Sequence, residues 1–267
     1  MPTKSEILAQ TIQNSHAVIV EIPLGFGFDF AEKQLELPLQ SEVIRLLPTI
    51  HEGRKTEQIT VADIEELQSK MIVRGGREQF VIFQAAEKMN EQAQNKFLKL
   101  LEEPRAGVHF ILLTSSAEHF LSTVRSRSQL VQILPISELE SIQFLKKFKL
   151  TDEKTRQILF LAKGLPAKME QLASDKKYFA SRLEVIEAAK TWLSGSNFDR
   201  LIIANSLKND REKALDLLEQ ILQLLRVTMK NQTARKNAQE MRKLLKVYRQ
   251  IAANGNIRLN LVNAILN

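Results

Sequence analysis

The chain of 267 residues is 44% hydrophobic and 26% charged, the composition of a folded globular protein with room for one to three domains. It contains 0 cysteines, which excludes disulfide bonds, thiolate zinc sites and a cysteine nucleophile. The net charge of +7 fits an anionic partner, although a solvated basic surface would give the same charge.

Metal and membrane signals are absent from the sequence. The histidines lack the close spacing of a zinc module, so we expect no metal and no cofactor. No apolar run is long enough to span a bilayer, and the N-terminus lacks the apolar core of a signal peptide. The expected location is the cytoplasm. The 4 histidines are His16, His51, His109 and His119.

Helices and strands alternate in the first part of the chain. Apolar residues at helical spacing predict helices, and short runs rich in β-branched residues predict strands. The predicted helices cover residues 5–14, 31–37 and 60–71, and the predicted strands cover residues 17–22 and 43–47. A turn with two glycines at residues 23–30 joins the first strand to the second helix.

The central stretch, residues 79–129, predicts a strand, a helix and a second strand. Residues 80–83 are apolar and fit a buried strand. Asn90 is well placed to cap a helix, which Pro104 ends. Residues 108–113 form the second apolar run. This order implies parallel strands joined by a right-handed crossover.

The rest of the chain is predicted to be helical after one last strand at residues 130–134. Three short helices follow, beginning at a Ser137–Glu140 capping box, at Thr151 and at Pro166. From about Ser174 only long amphipathic helices are predicted. The fold class is therefore α/β plus all-α, with domains at residues 1–135, 136–173 and 174–267.

Two motifs carry a resemblance to a known family. The sequence NKFLKLLEEP at residues 95–104 resembles the NALLKTLEEP helix of bacterial clamp-loader subunits, and TVRSRSQ at residues 123–129 resembles their TIRSRCQ segment. Together they are similar to the AAA+ delta-prime and gamma/tau subunits of the DNA polymerase III clamp loader. The resemblance implies a P-loop-like parallel sheet domain, a three-helix lid and a C-terminal helical collar. The four-cysteine zinc module of many relatives is missing here.

The resemblance implies a phosphate-binding loop of the form GPPGSGKT at the glycine turn. Aligned on Gly25 and Gly27, the lysine position holds Phe28 and the Ser/Thr position holds Asp29. The loop thus lacks its cation, and it gains a carboxylate that repels phosphate. An ordinary strand-to-helix turn that never bound phosphate is the other interpretation. Both predict that the chain does not bind ATP.

A second part of the implied site is also altered. ATP-hydrolysing relatives end the central strand in an aspartate that holds magnesium and a glutamate that polarises water. Gln84 and Ala85 stand at these positions, and Glu87 lies too far along the chain to replace them. Ala167 takes the place of an arginine that such relatives carry in the lid. This pattern of losses favours the delta-prime type.

The segment Ser126-Arg127-Ser128 keeps the family pattern except for Ser128, which replaces a cysteine. In the family, this arginine reaches the nucleotide of the neighbouring subunit as an arginine finger. That role needs no local nucleotide site, so we expect Arg127 to act in trans. A surface salt bridge is the alternative interpretation of Arg127.

The resemblance implies a non-catalytic subunit that assembles with gamma/tau and delta, helps to load the sliding clamp on primed DNA, and belongs to the DNA polymerase III holoenzyme by association. The clamp would be reached indirectly. DNA would be reached through a basic surface; the loop Arg74-Gly75-Gly76-Arg77 matches a basic loop of relatives. Two alternatives stay open: a diverged gamma-like ATPase, and an AAA+-derived adaptor outside replication.

Overall fold

The computed structural model describes residues 4–53, 55–71, 78–228 and 234–266. These residues form two compact units, Met1–Ser174 and Asp175–Asn267. The predicted collar at residues 174–267 stays a prediction. The further division of the first unit at residue 135 stays a prediction.

The first unit is built on a five-stranded sheet in the order β2-β5-β6-β1-β7, in which every neighbouring pair is parallel. Two shorter strands, β3 and β4, pair as an antiparallel hairpin that the sequence patterns did not predict. The strands are β1 (Ala17–Glu21), β2 (Glu42–Leu46), β3 (Thr49–Ile50), β4 (Glu57–Gln58), β5 (Gln79–Phe83), β6 (Val108–Thr114) and β7 (Gln129–Gln132).

The central strand β5 is buried on both faces. Phe80 and Ile82 belong to one apolar core, and Val81 and Phe83 belong to the other, because successive side chains of a strand point to opposite faces. Helices cover both faces, which is why the strand is a continuous apolar run. The predicted parallel α/β sheet is confirmed.

The helices that follow Asn90, Ser137 and Thr151 start at the predicted capping residues. Asn90 Oδ1 accepts a hydrogen bond from the Ala93 amide at 2.9 Å. Hydrogen bonds from Ser137 hold the pKa of the Glu140 carboxyl below its usual value. The helices are α1 (Lys4–Asn14), α2 (Phe28–Lys33), α3 (Val61–Lys70), α4 (Glu91–Glu102), α5 (Ser122–Arg125), α6 (Glu138–Leu145), α7 (Asp152–Ala162) and α8 (Pro166–Ser174).

Helix α2 differs from the helix predicted at residues 31–37. It starts at Phe28, directly after Gly27, and ends at Lys33. Glu36 has a left-handed backbone with a φ of 48°, which breaks the helix before Pro38 is reached. The shift moves Phe28 and Asp29 from the turn into the first helical turn.

The second unit is entirely helical within its described residues, which confirms the predicted all-α region. Its core surrounds Trp192, Leu218 and Leu244, each at most 1% exposed. A bidentate ion pair joins Arg182 to Asp216. Its hydrogen bonds raise the pKa of Arg182. Among the described helices, none is long and apolar enough to cross a membrane. The helices are α9 (Lys176–Ser194), α10 (Asn197–Ser206), α11 (Arg211–Thr228), α12 (Ala234–Ala252) and α13 (Ile257–Leu266).

Candidate functional site

The glycine loop lies at the carboxyl end of the sheet, between β1 and α2. Gly25 and Gly27 have φ angles of 86° and 90°, values that side chains with a Cβ rarely adopt. Because the strands are parallel, Gln84 after β5 reaches the same end of the sheet. The structure therefore brings together the two sets of residues that the resemblance assigned to one site.

Phe28 and Asp29 contribute no cation to the loop. The Phe28 ring is partly buried and packs against the apolar core that contains Phe26, which is fully buried. The Asp29 carboxylate lies 3.4 Å from the Gln84 side-chain nitrogen. Phe28, which stands where the resembled family has its phosphate-binding lysine, is thus part of the apolar packing.

The Gln84 amide is engaged by acidic side chains of α2. Its nitrogen donates to Glu32 at 2.8 Å, and the other Glu32 oxygen pairs with Arg45 at 2.6 Å. Sequence reasoning missed Glu32, although its position three residues after Asp29 places both on one helical face. These side chains line a groove of about 770 Å³ that extends toward β2.

Ala85 and Glu87, which follow Gln84, also lack the required chemistry. Ala85 is 7% exposed and has a left-handed backbone with a φ of 49°. The Glu87 carboxylate accepts hydrogen bonds from the Ser115 hydroxyl at 2.7 Å and from its amide at 3.3 Å. Glu87 therefore joins the turn after β5 to the loop after β6.

The first turn of helix α8 contacts the glycine loop through backbone hydrogen bonds. The amides of Ala167 and Lys168 donate to the carbonyls of Phe26 at 3.1 Å and Gly25 at 3.0 Å. These amides belong to the first helical turn and have no partner within their own helix. A Cβ on Gly27 would lie 2.8 Å from the Ala167 Cβ. The contact leaves no room for a side chain at Gly27.

These residues do not fit a magnesium-bound nucleotide. A phosphate loop needs a lysine on the phosphates and a hydroxyl on magnesium, with a carboxylate on the next strand. Phe28, Asp29 and Gln84 provide none of these in the required place. Within the described part of the chain, no group of three or more acidic, His or Cys side chains could hold a metal ion.

Arg127 lies at the opposite, amino end of the sheet, just before β7. Its guanidinium donates to the Thr123 carbonyl at 3.2 Å and pairs with Glu102 at 2.9 Å. The Arg127 side chain remains 38% exposed. Ser126 and Ser128 each donate a hydroxyl hydrogen bond at 3.0 Å to carbonyls of the α5 turn. The segment presents a fixed and accessible guanidinium.

Glu102 is a part of this arrangement that sequence reasoning did not single out. It stands in the last turn of α4, within the NKFLKLLEEP motif, and α4 runs back to the amino end of the sheet. The two motifs of the resemblance therefore meet through one ion pair. The basic loop at residues 74–77 lies outside the described residues.

The comparisons with known proteins agree with the resemblance over part of the chain. Residues 33–137 match the family model described as DNA polymerase III, delta subunit. DNA polymerase III subunit delta-prime of Haemophilus influenzae is 35% identical over 86 residues, which cover 32% of this chain and 26% of that protein. The chain therefore spans about a quarter of the length of this curated relative.

Two solved structures from Thermotoga maritima also match. A DNA polymerase III gamma subunit-related protein is 19% identical, with 98% of this chain and 97% of that chain covered and a TM-score of 0.46. The RuvB Holliday junction branch migration motor is 13% identical, with 84% and 76% covered and a TM-score of 0.48.

Proposed function

We propose that this chain, whose residues 33–137 match the family model of the DNA polymerase III delta subunit, is a non-catalytic delta-prime-like clamp-loader subunit. The observation that supports the proposal is a difference between the two ends of the parallel sheet. The carboxyl end of the sheet does not fit a nucleotide, while the amino end presents Arg127 on a fixed turn. Such a chain would serve the ATP site of a neighbour.

Arg127 would act as an arginine finger in trans. Its guanidinium would stabilise the charge that develops on the phosphoryl group during ATP hydrolysis by a gamma/tau subunit. The planar fork suits phosphate oxygens better than a lysine ammonium does. Hydrolysis would in turn drive loading of the sliding clamp on primed DNA during replication. The chain by itself would have no ATPase activity.

Glu102 would orient the finger. One guanidinium nitrogen is bound by the Thr123 carbonyl and another by Glu102, so two elements fix the direction of the Arg127 side chain. Glu102 is itself half exposed, so the pair is solvent-screened and would contribute little to stability. We assign it a positioning role for that reason.

Assembly would use the exposed apolar face of α10. Phe198 is 71% exposed and Ile202 is 55% exposed, and Leu201 lies beside them at helical spacing. Contiguous exposed apolar residues mark protein–protein contact surfaces. The partners would be other clamp-loader subunits, gamma/tau and delta, in a hetero-oligomer.

Reconstitution with the gamma/tau and delta subunits of the source organism tests the proposal. The wild-type chain should co-elute with them in size-exclusion chromatography and should be required for clamp loading. Phe198→Ser with Ile202→Ser should abolish co-elution and leave the helical circular dichroism intact. Leu139→Ser, which removes a side chain that is 76% exposed in the first unit, is the matched control.

Failure of the wild-type chain to co-elute would overturn the proposal and favour an adaptor outside replication. Hydrolysis of ATP by the isolated chain would favour the gamma-like ATPase instead. Co-elution that survives the α10 double substitution would exclude only α10 as the contact surface.

A further inference from the structure

The positive charge of the chain is concentrated in one of its two units. The first unit contains 21 Lys and Arg against 22 Asp and Glu, and the second contains 17 against 9. The first unit is thus close to neutral, and the second carries a net charge of +8. The residues that give the protein its basic character therefore belong to the helical unit.

Within the second unit, α12 contains six Lys or Arg residues and one acidic residue, Glu240. Three of the cations, Arg242, Lys246 and Arg249, follow one another at spacings of four and three residues. They therefore lie along one face of the helix, over roughly 10 Å at a rise of 1.5 Å per residue. All three are exposed.

These three cations are not neutralised by neighbouring carboxylates. Of the ion pairs formed by the described residues, none includes Arg242, Lys246 or Arg249. Glu219 of the adjacent helix α11 accepts its hydrogen bond from Tyr248, which lies on a different face of α12 from the three cations. The stripe therefore keeps its full charge.

The stripe also lines a depression in the surface. Arg242, Lys246 and Arg249, with Leu245, Gln250 and Ala253, enclose a shallow groove of about 510 Å³. Its lining contains no aromatic side chain on which a base could stack. Proteins that bind single strands combine a basic groove with such aromatic side chains. The charge and the lining favour the phosphate backbone of a duplex.

We infer that the exposed face of α12 formed by Arg242, Lys246 and Arg249 binds the phosphate backbone of double-stranded DNA without sequence preference. The inference adds a DNA-binding surface on the helical unit to the proposed loader function. Its test uses the isolated chain, so its failure would leave the loader proposal standing.

Fluorescence anisotropy of the full chain with a labelled duplex of about 25 base pairs, between 50 and 200 mM salt, measures the contact. Each phosphate contact contributes about −0.9 to the slope of log K against log salt. Replacing all three cations, with Arg242→Gln, Lys246→Gln and Arg249→Gln, should make the slope shallower by about 2.7. Affinity at 50 mM salt should fall at least about tenfold.

The matched control removes the same charge from exposed lysines elsewhere, with Lys146→Gln, Lys176→Gln and Lys208→Gln. It should keep the wild-type slope. Absence of wild-type binding to the duplex at 50 mM salt would overturn the inference. An equal loss in the control variant, or tighter binding to a single strand of the same length, would also overturn it.

Discussion

The two ends of the parallel sheet have opposite properties. At the carboxyl end, Phe28 is packed into the apolar core and the Gln84 amide is bound by the acidic side chains of Asp29 and Glu32. At the amino end, Arg127 keeps an accessible guanidinium on a turn that two serine hydroxyls support. The loop that aligns with a nucleotide site and the segment that we propose to act in trans are thus at opposite ends of the sheet.

The difference teaches that one end of such a sheet can change without altering the other. In a parallel sheet, the loops after the strands and the loops before them are on opposite sides, so they share few contacts. The α8 amides contact the glycine loop at Gly25 and Phe26, whereas Arg127 is held by Thr123 and Glu102.

The largest expected effect is that of Arg127→Ala. An arginine finger contributes roughly 10³–10⁵ in rate in small GTPases, so hydrolysis at the adjacent site should nearly stop. Total turnover of the reconstituted complex should fall less, because other sites continue to work. Steady-state ATP hydrolysis and clamp-loading assays measure both effects. Arg127→Lys should restore the rate only partly, since an ammonium lacks the planar fork.

Arg125→Ala is the control for Arg127→Ala, because Arg125 is exposed and lies two residues away. Both variants should fold and assemble as the wild type does. Wild-type clamp loading by Arg127→Ala, or an equal defect in Arg125→Ala, would identify the segment as a basic surface and remove the contrast between the two ends.

The second prediction concerns the carboxyl end. The isolated chain should bind ATP and ADP more weakly than about 1 mM, that is with less than about 4 kcal/mol. A carboxylate about 4 Å from a phosphate oxygen is repelled by roughly 4 kcal/mol at an effective dielectric of 20. Isothermal titration calorimetry with magnesium measures the affinity. Micromolar, magnesium-dependent binding of ATP or ADP would contradict the prediction. The carboxyl end of the sheet would then also have a nucleotide-binding function.

The third prediction tests the contact of the loop with α8. Gly27→Ala should destabilise the protein by about 2–3 kcal/mol, because it combines a left-handed backbone with a clash against Ala167. Gly53→Ala, at a φ of 76° with nothing within 4 Å of the added Cβ, should cost only about 1 kcal/mol. Urea unfolding measures both variants.

Ala167→Gly in the Gly27→Ala background separates the clash from backbone strain. A double-mutant cycle should give a favourable coupling of about 1 kcal/mol, since the two methyl groups no longer meet. If Gly27→Ala costs no more than Gly53→Ala, then α8 is not held against the loop in solution.

The smallest effect is expected for Glu102→Gln. Removal of its charge should lower the Arg127-dependent rate of the assembled complex about three- to tenfold, which corresponds to about 1 kcal/mol. The KM for ATP should not change, because the neighbour binds its own nucleotide. Glu103→Gln is the matched control, adjacent and exposed. An increase in rate with Glu102→Gln would show that the ion pair restrains Arg127 instead of orienting it.

Much of the fold could be predicted from local patterns. Buried parallel strands are continuous apolar runs, and helix starts carry side chains that accept from free amides, so β5, β6 and the helix after Asn90 were identified. Two-residue strands such as β3 and β4 lack any detectable period. The early end of α2 depends on the left-handed backbone of Glu36, which its residue type does not indicate.

The sequence by itself determined which chemistry is available, because Phe28, Asp29, Gln84 and Ala85 have the same functional groups in any fold. Only the tertiary structure decided how these groups are used. Glu32 is 52 residues from Gln84, Glu102 is 25 residues from Arg127, and residues 167 and 168 are far from the glycine loop. Such contacts arise from the packing of helices on the sheet, and no local pattern encodes them.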